Sequence, residues 1–167
     1  VQQVTMRTIV TERLRLVPVR SENAQTLWRV LQEPDLREFQ DLPDADLQQF
    51  LRIVAARPAK LQQGAWGRFE WLIYMQGVEP AAGWASLRIG ERSAGSAEVG
   101  YSVVREYRGL GVATEAVRGL VDEAFVRVHL RRLRAYCVPG NLASRAVLER
   151  AGFETDGVLP HGATVQG

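Results

Sequence analysis

The sequence predicts a single α+β domain with a mixed sheet, and three features between residues 96 and 138 carry this prediction. Residues 96–103 alternate apolar and polar side chains, as expected for a strand with one buried face. Residues 112–128 carry apolar side chains every three or four positions, which predicts one amphipathic helix. Residues 131–138 alternate again, so the helix should connect two parallel strands by a right-handed crossover.

The N-terminal third predicts one strand followed by two helices. The segment Thr11–Val19 alternates arginine with leucine, which is typical of a half-buried strand. Ser21 is expected to cap a helix over about residues 22–31. Asp44 or Asp46 is expected to start a second helix of similar length.

The remaining elements complete a sheet with helices beside it. Residues 70–75 and 82–89 are rich in β-prone side chains and predict two antiparallel strands. Residues 142–151 predict a short helix, and residues 153–159 predict the last strand. The sequence has no repeat, linker or low-complexity segment, so we expect one domain spanning residues 1–167.

Composition excludes several classes of function. The formal charge is only +2, and the basic residues are spread through the chain, so we expect no nucleic-acid partner. Cys137 is the only cysteine, so an intrachain disulfide is impossible and a cytoplasmic location is expected. No apolar run approaches the ~20 residues of a membrane span, so we expect no membrane partner. No Cys/His cluster suggests a metal site.

The loop between the central strand and the long helix has the character of an anion site. Gly109 and Gly111 precede the helix, where unpaired N–H groups and the helix dipole attract negative charge. A nucleotide-triphosphate loop is excluded because no lysine follows Gly111, the only lysine being Lys60. A dinucleotide fingerprint is excluded because Thr114 stands where the third glycine is needed.

The remaining pattern, Arg108 to Ala113, fits [RQ]-x-x-G-x-[GA] and resembles the pyrophosphate-binding signature of the GNAT family of N-acetyltransferases. The alternative interpretation is that the two glycines only serve a tight turn between strand and helix. The strand before the loop, with its Glu-Val-Gly-Tyr run, and the helix after it favour the cofactor interpretation.

A second stretch, residues 139–153, resembles the other cofactor motif of the same family. It contains Asn141 and Ser144 in an N-x-x-S arrangement, followed by a V-L-E-x-x-G-F run. Local structure alone would also explain it, with Asn141 as a helix cap and Gly152 as the residue after the helix. Together with the opening segment Thr11–Leu16, the two motifs resemble the RimJ/RimL-type ribosomal-protein-alanine branch, over about residues 11–159.

The resemblance implies a GNAT-like acyl-CoA N-acyltransferase fold, with a central mixed sheet of six to seven strands flanked by about four helices. It implies acetyl-CoA as cosubstrate and no metal. Only residues 160–167 follow the last predicted strand, so the final strand of such a fold is expected to be missing or truncated, or supplied by a partner.

The resemblance also implies the cofactor-binding residues. Backbone groups of Val103 and Val104 would bind the pantetheine arm and polarise the thioester carbonyl. The pyrophosphate would be held by the Arg108 side chain and by the N–H groups of Gly109, Leu110, Gly111, Val112, Ala113 and Thr114. Asn141 would contact the pantetheine chain, and Ser144 would lie near the sulfur.

Two residues are candidates for catalysis. Ser144 could supply a proton or hydrogen bond to the departing thiolate, whose thiol has a pKa near 8.5; its alternative role is helix capping. Glu98 is the best-placed base for deprotonating the amine; the alternative interpretation is a strand glutamate that faces solvent or an arginine. His129 and His161 are not expected to act as the base. Tyr136 could reach the cofactor groove, but a packed strand aromatic is the favoured interpretation.

The expected function is therefore transfer of an acetyl group to a primary amine, by direct transfer in a ternary complex. Within the family branch, a protein or peptide N-terminal α-amine is favoured. The alternatives are an acetyltransferase for a small antibiotic or metabolite amine, and a non-catalytic CoA-binding regulatory module. The sequence leaves a homodimer open.

Overall fold

The computed structural model describes residues 6–33, 46–137, 140–158 and 164–166. Its strands are β1 (Ile9–Val10), β2 (Leu14–Pro18), β3 (Gly67–Met75), β4 (Gly83–Ile89), β5 (Ser96–Val103), β6 (Arg132–Cys137), β7 (Thr155–Val158) and β8 (Thr164–Gln166). The α-helices within these ranges are α1 (Ala24–Leu31), α2 (Leu47–Ala55), α3 (Val112–Asp122) and α4 (Leu142–Arg150). A 3₁₀ turn over Arg105–Tyr107 precedes α3, and a π-helical turn over Glu123–Arg127 extends it.

All the strands form one mixed sheet in the order β1-β2-β3-β4-β5-β6-β8-β7. Among the strands of the described residues, only β5 and β6 are parallel neighbours, and α3 makes the crossover between them. The predicted α+β fold with a mixed sheet and about four helices is confirmed. The sheet is wider than expected because β1 and β8 add two short strands. Thr164–Gln166 pairs with both β6 and β7, so a short strand stands where we expected a missing or truncated one.

The helix starts follow local chemistry. Asp46 caps α2, accepting a hydrogen bond from the Gln49 backbone, and the Gln49 side chain accepts one from the Asp46 backbone. Asp44, the other candidate cap, lies outside the described residues. The expectation for Ser21 is wrong: α1 starts two residues later than expected, at Ala24 after Asn23. The Asn23 side chain accepts from the Arg20 N–H and donates to the Pro18 carbonyl, which fixes the chain before α1.

Helices cover both faces of the sheet, because successive strand residues point to opposite sides. On one face, α3 and α4 pack on a core that includes Trp71, Leu87, Val99, Leu120 and Leu148. On the other face, α1 and α2 pack on a separate core that includes Leu27, Phe50, Leu72 and Trp84. Each fully buried side chain of this size contributes about 1.5–3 kcal/mol to the free energy of unfolding.

The central strands separate at the end that carries the glycine loop. Strand β5 stays paired with β4 up to the Val103–Gly83 position. Its pairing with β6 stops much earlier, at Val99 and Ala135. The last four residues of β5 therefore have β4 on one side and an opening on the other. This opening lies beside the first turn of α3.

The predicted long helix is continuous to Asp122 and then widens into the π-helical turn. Glu123, at the start of that turn, is buried and paired with Arg7 at 2.8 Å and with Arg127 at 2.6 Å. These contacts attach the N-terminal segment to the crossover helix. Within the described ranges, every helix falls short of the length and apolarity that crossing a membrane requires.

Candidate active site

A cleft of about 500 Å³ lies where β5 and β6 separate. Its walls are the end of β5, the glycine loop with the first turn of α3, and one face of α4. Most of the predicted site residues line it together: Val103, Arg108, Gly109, Gly111, Val112, Ala113, Thr114, Asn141 and Ser144. Sequence stretches more than thirty residues apart therefore meet at one place.

The glycine loop turns twice through the left-handed region of backbone conformation. Gly109 has φ +77° and Gly111 has φ +78°, values at which a side chain other than glycine is strained. Gly111 is also the residue immediately before α3, and no side chain caps this helix. The first N–H groups of α3 thus face the cleft without a capping oxygen from the described residues.

Leu110 does not line the cleft with its side chain, which is 55% exposed. Its carbonyl oxygen instead accepts a hydrogen bond of 2.9 Å from Arg13 Nη1, on the far side of the loop. Arg108 does line the cleft, and its Nε donates to the Val103 carbonyl at 3.0 Å. This bond ties the start of the loop to the end of β5.

Ser144 lies in the first turn of α4 and is connected in two ways. Its backbone N–H donates to the Asn141 side-chain oxygen at 3.0 Å, which caps the helix. Its hydroxyl oxygen lies 2.6 Å from the hydroxyl oxygen of Tyr101, and the Tyr101 hydroxyl also lies 3.0 Å from the Ser144 carbonyl oxygen. Both side chains are buried at the cleft wall.

Tyr101 is the residue that the sequence reasoning missed. Burial raises the pKa of its hydroxyl to about 12, although the hydrogen bond with Ser144 opposes this. The group therefore keeps its proton throughout the neutral range and can donate a hydrogen bond to the Ser144 carbonyl oxygen, whereas either oxygen can be the donor in the contact between the two hydroxyls. The available signal was its place on the buried face of β5, two residues before the strand ends.

The interpretation of Val104 needs correction. Its N–H donates to the Ala82 carbonyl at 2.8 Å and its carbonyl accepts from the Tyr107 N–H at 3.0 Å, so both backbone groups are used. Its side chain is buried in the core under α1 and α2. In an antiparallel ladder, bonding alternates along the strand, so the backbone of Val103 points the other way, into the opening. Only Val103 of this pair faces the cleft.

The expectation for Glu98 also needs correction, because the structure does not bring it to the cleft. Its carboxylate pairs with Arg88 Nη2 at 2.7 Å, and it lies opposite Arg134 in the closed part of the β5–β6 ladder. Five strand residues separate it from Val103, roughly 16 Å along β5. His129 and Tyr136 are exposed and do not line the cleft, and His161 lies outside the described residues.

The charged residues of the cleft wall are arginines: Arg108 from the loop and Arg150 from the end of α4. No aspartate, glutamate or histidine of the described chain lines it. A search of the same residues for clusters of His, Cys, Asp and Glu finds no group that could hold a metal ion. The cleft thus combines positive charge, exposed helix N–H groups and a buried hydroxyl pair.

Comparison with known proteins gives the family. Residues 13–154, most of the chain, match the family of acetyltransferase (GNAT) domains. The chain belongs to the GNAT acetyltransferase family. As a GNAT member it is an N-acetyltransferase, and it is similar to the uncharacterized N-acetyltransferase p20 of Bacillus licheniformis. The two are 28% identical over 155 residues, which cover 92% of this chain and 86% of the relative.

Solved structures of GNAT enzymes share the fold. RimL, the ribosomal L7/L12 alpha-N-protein acetyltransferase, in complex with coenzyme A, matches with a TM-score of 0.78 and 19% identity, over 96% of each chain. AAC(6')-Ib in complex with parmomycin and acetyl-CoA matches with a TM-score of 0.74 and 18% identity, over 93% of this chain and 92% of the other. At these identities the likeness concerns the fold, and it is similar for both enzymes.

Proposed function

We propose that this GNAT enzyme transfers the acetyl group of acetyl-CoA directly to the α-amine of a protein or peptide, in a ternary complex. The observation that carries the proposal is the cleft at the β5–β6 opening. It combines the N-terminus of α3, which suits a pyrophosphate, with the Ser144–Tyr101 pair, which suits a departing thiolate.

The cleft residues fit coenzyme A on three grounds. The left-handed glycines and the uncapped N–H groups of α3 form a cradle for a pyrophosphate. Arg108 and Arg150 add positive charge in the same wall. The volume of about 500 Å³ lies within the usual range for small-molecule sites.

When bound, acetyl-CoA supplies an acetyl thioester that an amine can attack. The Val103 N–H would then donate to the carbonyl oxygen as negative charge develops on it. The Ser144 hydroxyl would give its proton to the departing sulfur and recover one from the attacking amine, which loses a proton as the amide forms. Tyr101, whose hydroxyl oxygen lies 2.6 Å from that of Ser144, would orient this hydroxyl and keep its own proton. The N–H groups of residues 109–114 and the Arg108 side chain would hold the pyrophosphate.

The absence of a carboxylate or imidazole among the described cleft residues supports an α-amine acceptor. An amine attacks only in its neutral form. An α-amino group, with pKa about 7.7–8.0, is neutral in roughly a tenth of the molecules near pH 7, whereas a lysine amine, with pKa about 10.4, is almost fully protonated. Without a nearby base, an α-amine therefore has an advantage of roughly two to three orders of magnitude.

The RimJ/RimL-type sequence resemblance points the same way, as does the similarity to the RimL fold. A small-molecule amine is the second candidate, because AAC(6')-Ib in complex with parmomycin has a comparable fold similarity. The two candidates differ in the acceptor alone, so the choice of acceptor in one assay separates them.

We expect thiol release from acetyl-CoA with a peptide that has a free N-terminus, and much slower release with its N-blocked, lysine-containing counterpart. The rate with the free peptide should rise with pH and level off near the pKa of the α-amine, because the neutral amine is the reactive form. A thiol-trapping assay across pH 6–9, with mass spectrometry of the product, measures both.

Glu98→Gln is the matched control, because this carboxylate pairs with Arg88 away from the cleft. It should leave the pH–rate profile unchanged. Comparable rates on the blocked peptide, or loss of activity in Glu98→Gln, would contradict the proposed acceptor. Thiol release with small amines alone would favour the second candidate. Absence of thiol release with every amine tested would favour a non-catalytic CoA-binding module.

A further inference from the structure

The opening motif Thr11-Glu12-Arg13 has no role in the transfer chemistry, yet Arg13 contacts the cofactor loop and Thr11 contacts the helix that follows it. Arg13 Nη1 donates to the Leu110 carbonyl at 2.9 Å, and Arg13 Nε donates to Glu115 Oε1 at 2.7 Å. Glu115 lies in the first turn of α3. One guanidinium therefore bridges the loop and the helix that follows it, across about a hundred residues of sequence.

Glu115 is itself fixed by the same motif. Its Oε2 accepts hydrogen bonds from the Thr11 hydroxyl at 2.5 Å and from the Arg13 N–H at 2.8 Å. Burial alone would raise the pKa of this carboxyl, but the hydrogen bonds from Thr11 and Arg13 outweigh it, and the pKa is lowered. The carboxylate therefore stays charged at neutral pH and holds the guanidinium in one orientation.

The bridge lies on the side of the loop opposite the cleft. Arg13, Thr11 and Glu115 line a separate groove of about 1030 Å³ between the N-terminal segment and α3. Gly111 borders both this groove and the cleft. The Leu110 carbonyl points to Arg13 in the groove. Because a trans peptide is planar, the Gly111 N–H must point the opposite way, toward the cleft.

We propose that Arg13 is a positioning residue for cofactor binding. By holding the Leu110 carbonyl in the groove, it keeps the Gly111 N–H directed at the pyrophosphate of coenzyme A, with Thr11 and Glu115 orienting it. The inference rests on the proposed function, since it assumes that coenzyme A binds at this loop. It gives a role to the opening motif, which takes no part in the transfer chemistry.

A purely structural role is a weaker explanation for this side chain. The Arg13 side chain is 41% exposed, so it adds little to the buried core. If Arg13 positions the loop, its replacement should weaken the binding of the pyrophosphate and leave the rest of the cleft intact. S-acetylpantetheine provides the discriminating probe, because it carries the thioester and pantetheine arm without the pyrophosphate.

The test compares wild type with Arg13→Gln and Arg13→Lys, using calorimetry for the dissociation constant of coenzyme A and kinetics with both thioesters. Arg13→Gln should raise the dissociation constant of coenzyme A and the KM for acetyl-CoA about tenfold, with kcat changed less than twofold. Its kcat/KM for S-acetylpantetheine should match wild type. The dissociation constant of coenzyme A for Arg13→Lys should lie between those of wild type and Arg13→Gln, because an ammonium can pair with Glu115 but cannot bridge to Leu110 as a guanidinium does.

Arg15→Gln is the matched control: Arg15 lies on β2, its side chain is 37% exposed, and its partners are Glu79 and the Tyr74 ring. It should behave as wild type in every measurement. Unchanged coenzyme A binding in both Arg13 variants, or equal losses with the two thioesters, would overturn the inference. If Arg13→Gln lowers the melting temperature, the inference is judged on Arg13→Lys, by comparing its loss of kcat/KM with acetyl-CoA to its loss with S-acetylpantetheine. Wild type that binds no coenzyme A would instead overturn the proposed function.

Discussion

Ser144→Ala should lower kcat about 10²–10³-fold while changing the KM for acetyl-CoA little, if its hydroxyl protonates the departing thiolate. The substitution preserves the cap of α4, because that bond uses the Ser144 backbone N–H and the Asn141 side chain. The fold and the shape of the cleft should therefore be unchanged. Steady-state kinetics with acetyl-CoA, alongside calorimetric binding of coenzyme A, separate turnover from affinity.

Tyr101→Phe should have a smaller effect in the same direction, about tenfold in kcat, because it removes the hydroxyl that lies 2.6 Å from the Ser144 hydroxyl and keeps Ser144 itself. Ser96→Ala is the matched control, since Ser96 begins the same strand and its hydroxyl bonds only locally, to the Ser93 carbonyl. If Ser144→Ala stays within a few-fold of wild-type turnover while coenzyme A affinity falls, Ser144 is a binding residue and not a proton donor.

Gly111→Asp should weaken the binding of coenzyme A by at least roughly 100-fold, equivalent to about 2.7 kcal/mol. Two effects combine. Gly111 has φ +78°, where a side chain is strained, and a Cβ there would lie 3.3 Å from the Arg13 guanidinium. The added carboxylate would also bring negative charge to the helix N-terminus, where the anion should sit, and it would compete with the Leu110 carbonyl for the Arg13 guanidinium. Calorimetry and the KM for acetyl-CoA measure the loss.

Gly64→Asp is the matched control for backbone strain and added charge. Gly64 has φ +86° in a distant loop, and a Cβ there would meet no atom within 4 Å. It should lower the melting temperature about as much as Gly111→Asp and leave coenzyme A binding intact. Equal losses of binding in the two variants would show that Gly111 acts through stability alone.

Much of the fold could be predicted because it follows from local patterns. The alternation around Val99 and Tyr101 identified the central strand, and the apolar stripe after Gly111 identified the crossover helix. Asp46, one of the two residues expected to start the second helix, does cap α2, and Gln49 three residues later completes a capping box. The glycine loop was visible for the same reason, since a left-handed turn before a helix favours glycine.

The predictions that were wrong or missing depend on strand register and on contacts between residues far apart in the sequence. The sequence does not tell where β5 separates from β6, so it could not show that Glu98 lies in the closed part of the ladder. It does not show which of the backbone groups of Val103 and Val104 form hydrogen bonds on the β4 side. The bridge from Arg13 to Leu110 joins residues 97 apart, and no local pattern reports such a contact.

A crystal structure of the complex with coenzyme A tests the central claim most directly. The account predicts that the pyrophosphate oxygens accept hydrogen bonds from N–H groups of residues 109–114. It also predicts that the thiol sulfur lies within hydrogen-bond distance of Ser144 Oγ, at the opening between β5 and β6. Coenzyme A bound in the groove behind α3, or bound in the cleft with its sulfur remote from Ser144, would contradict the account.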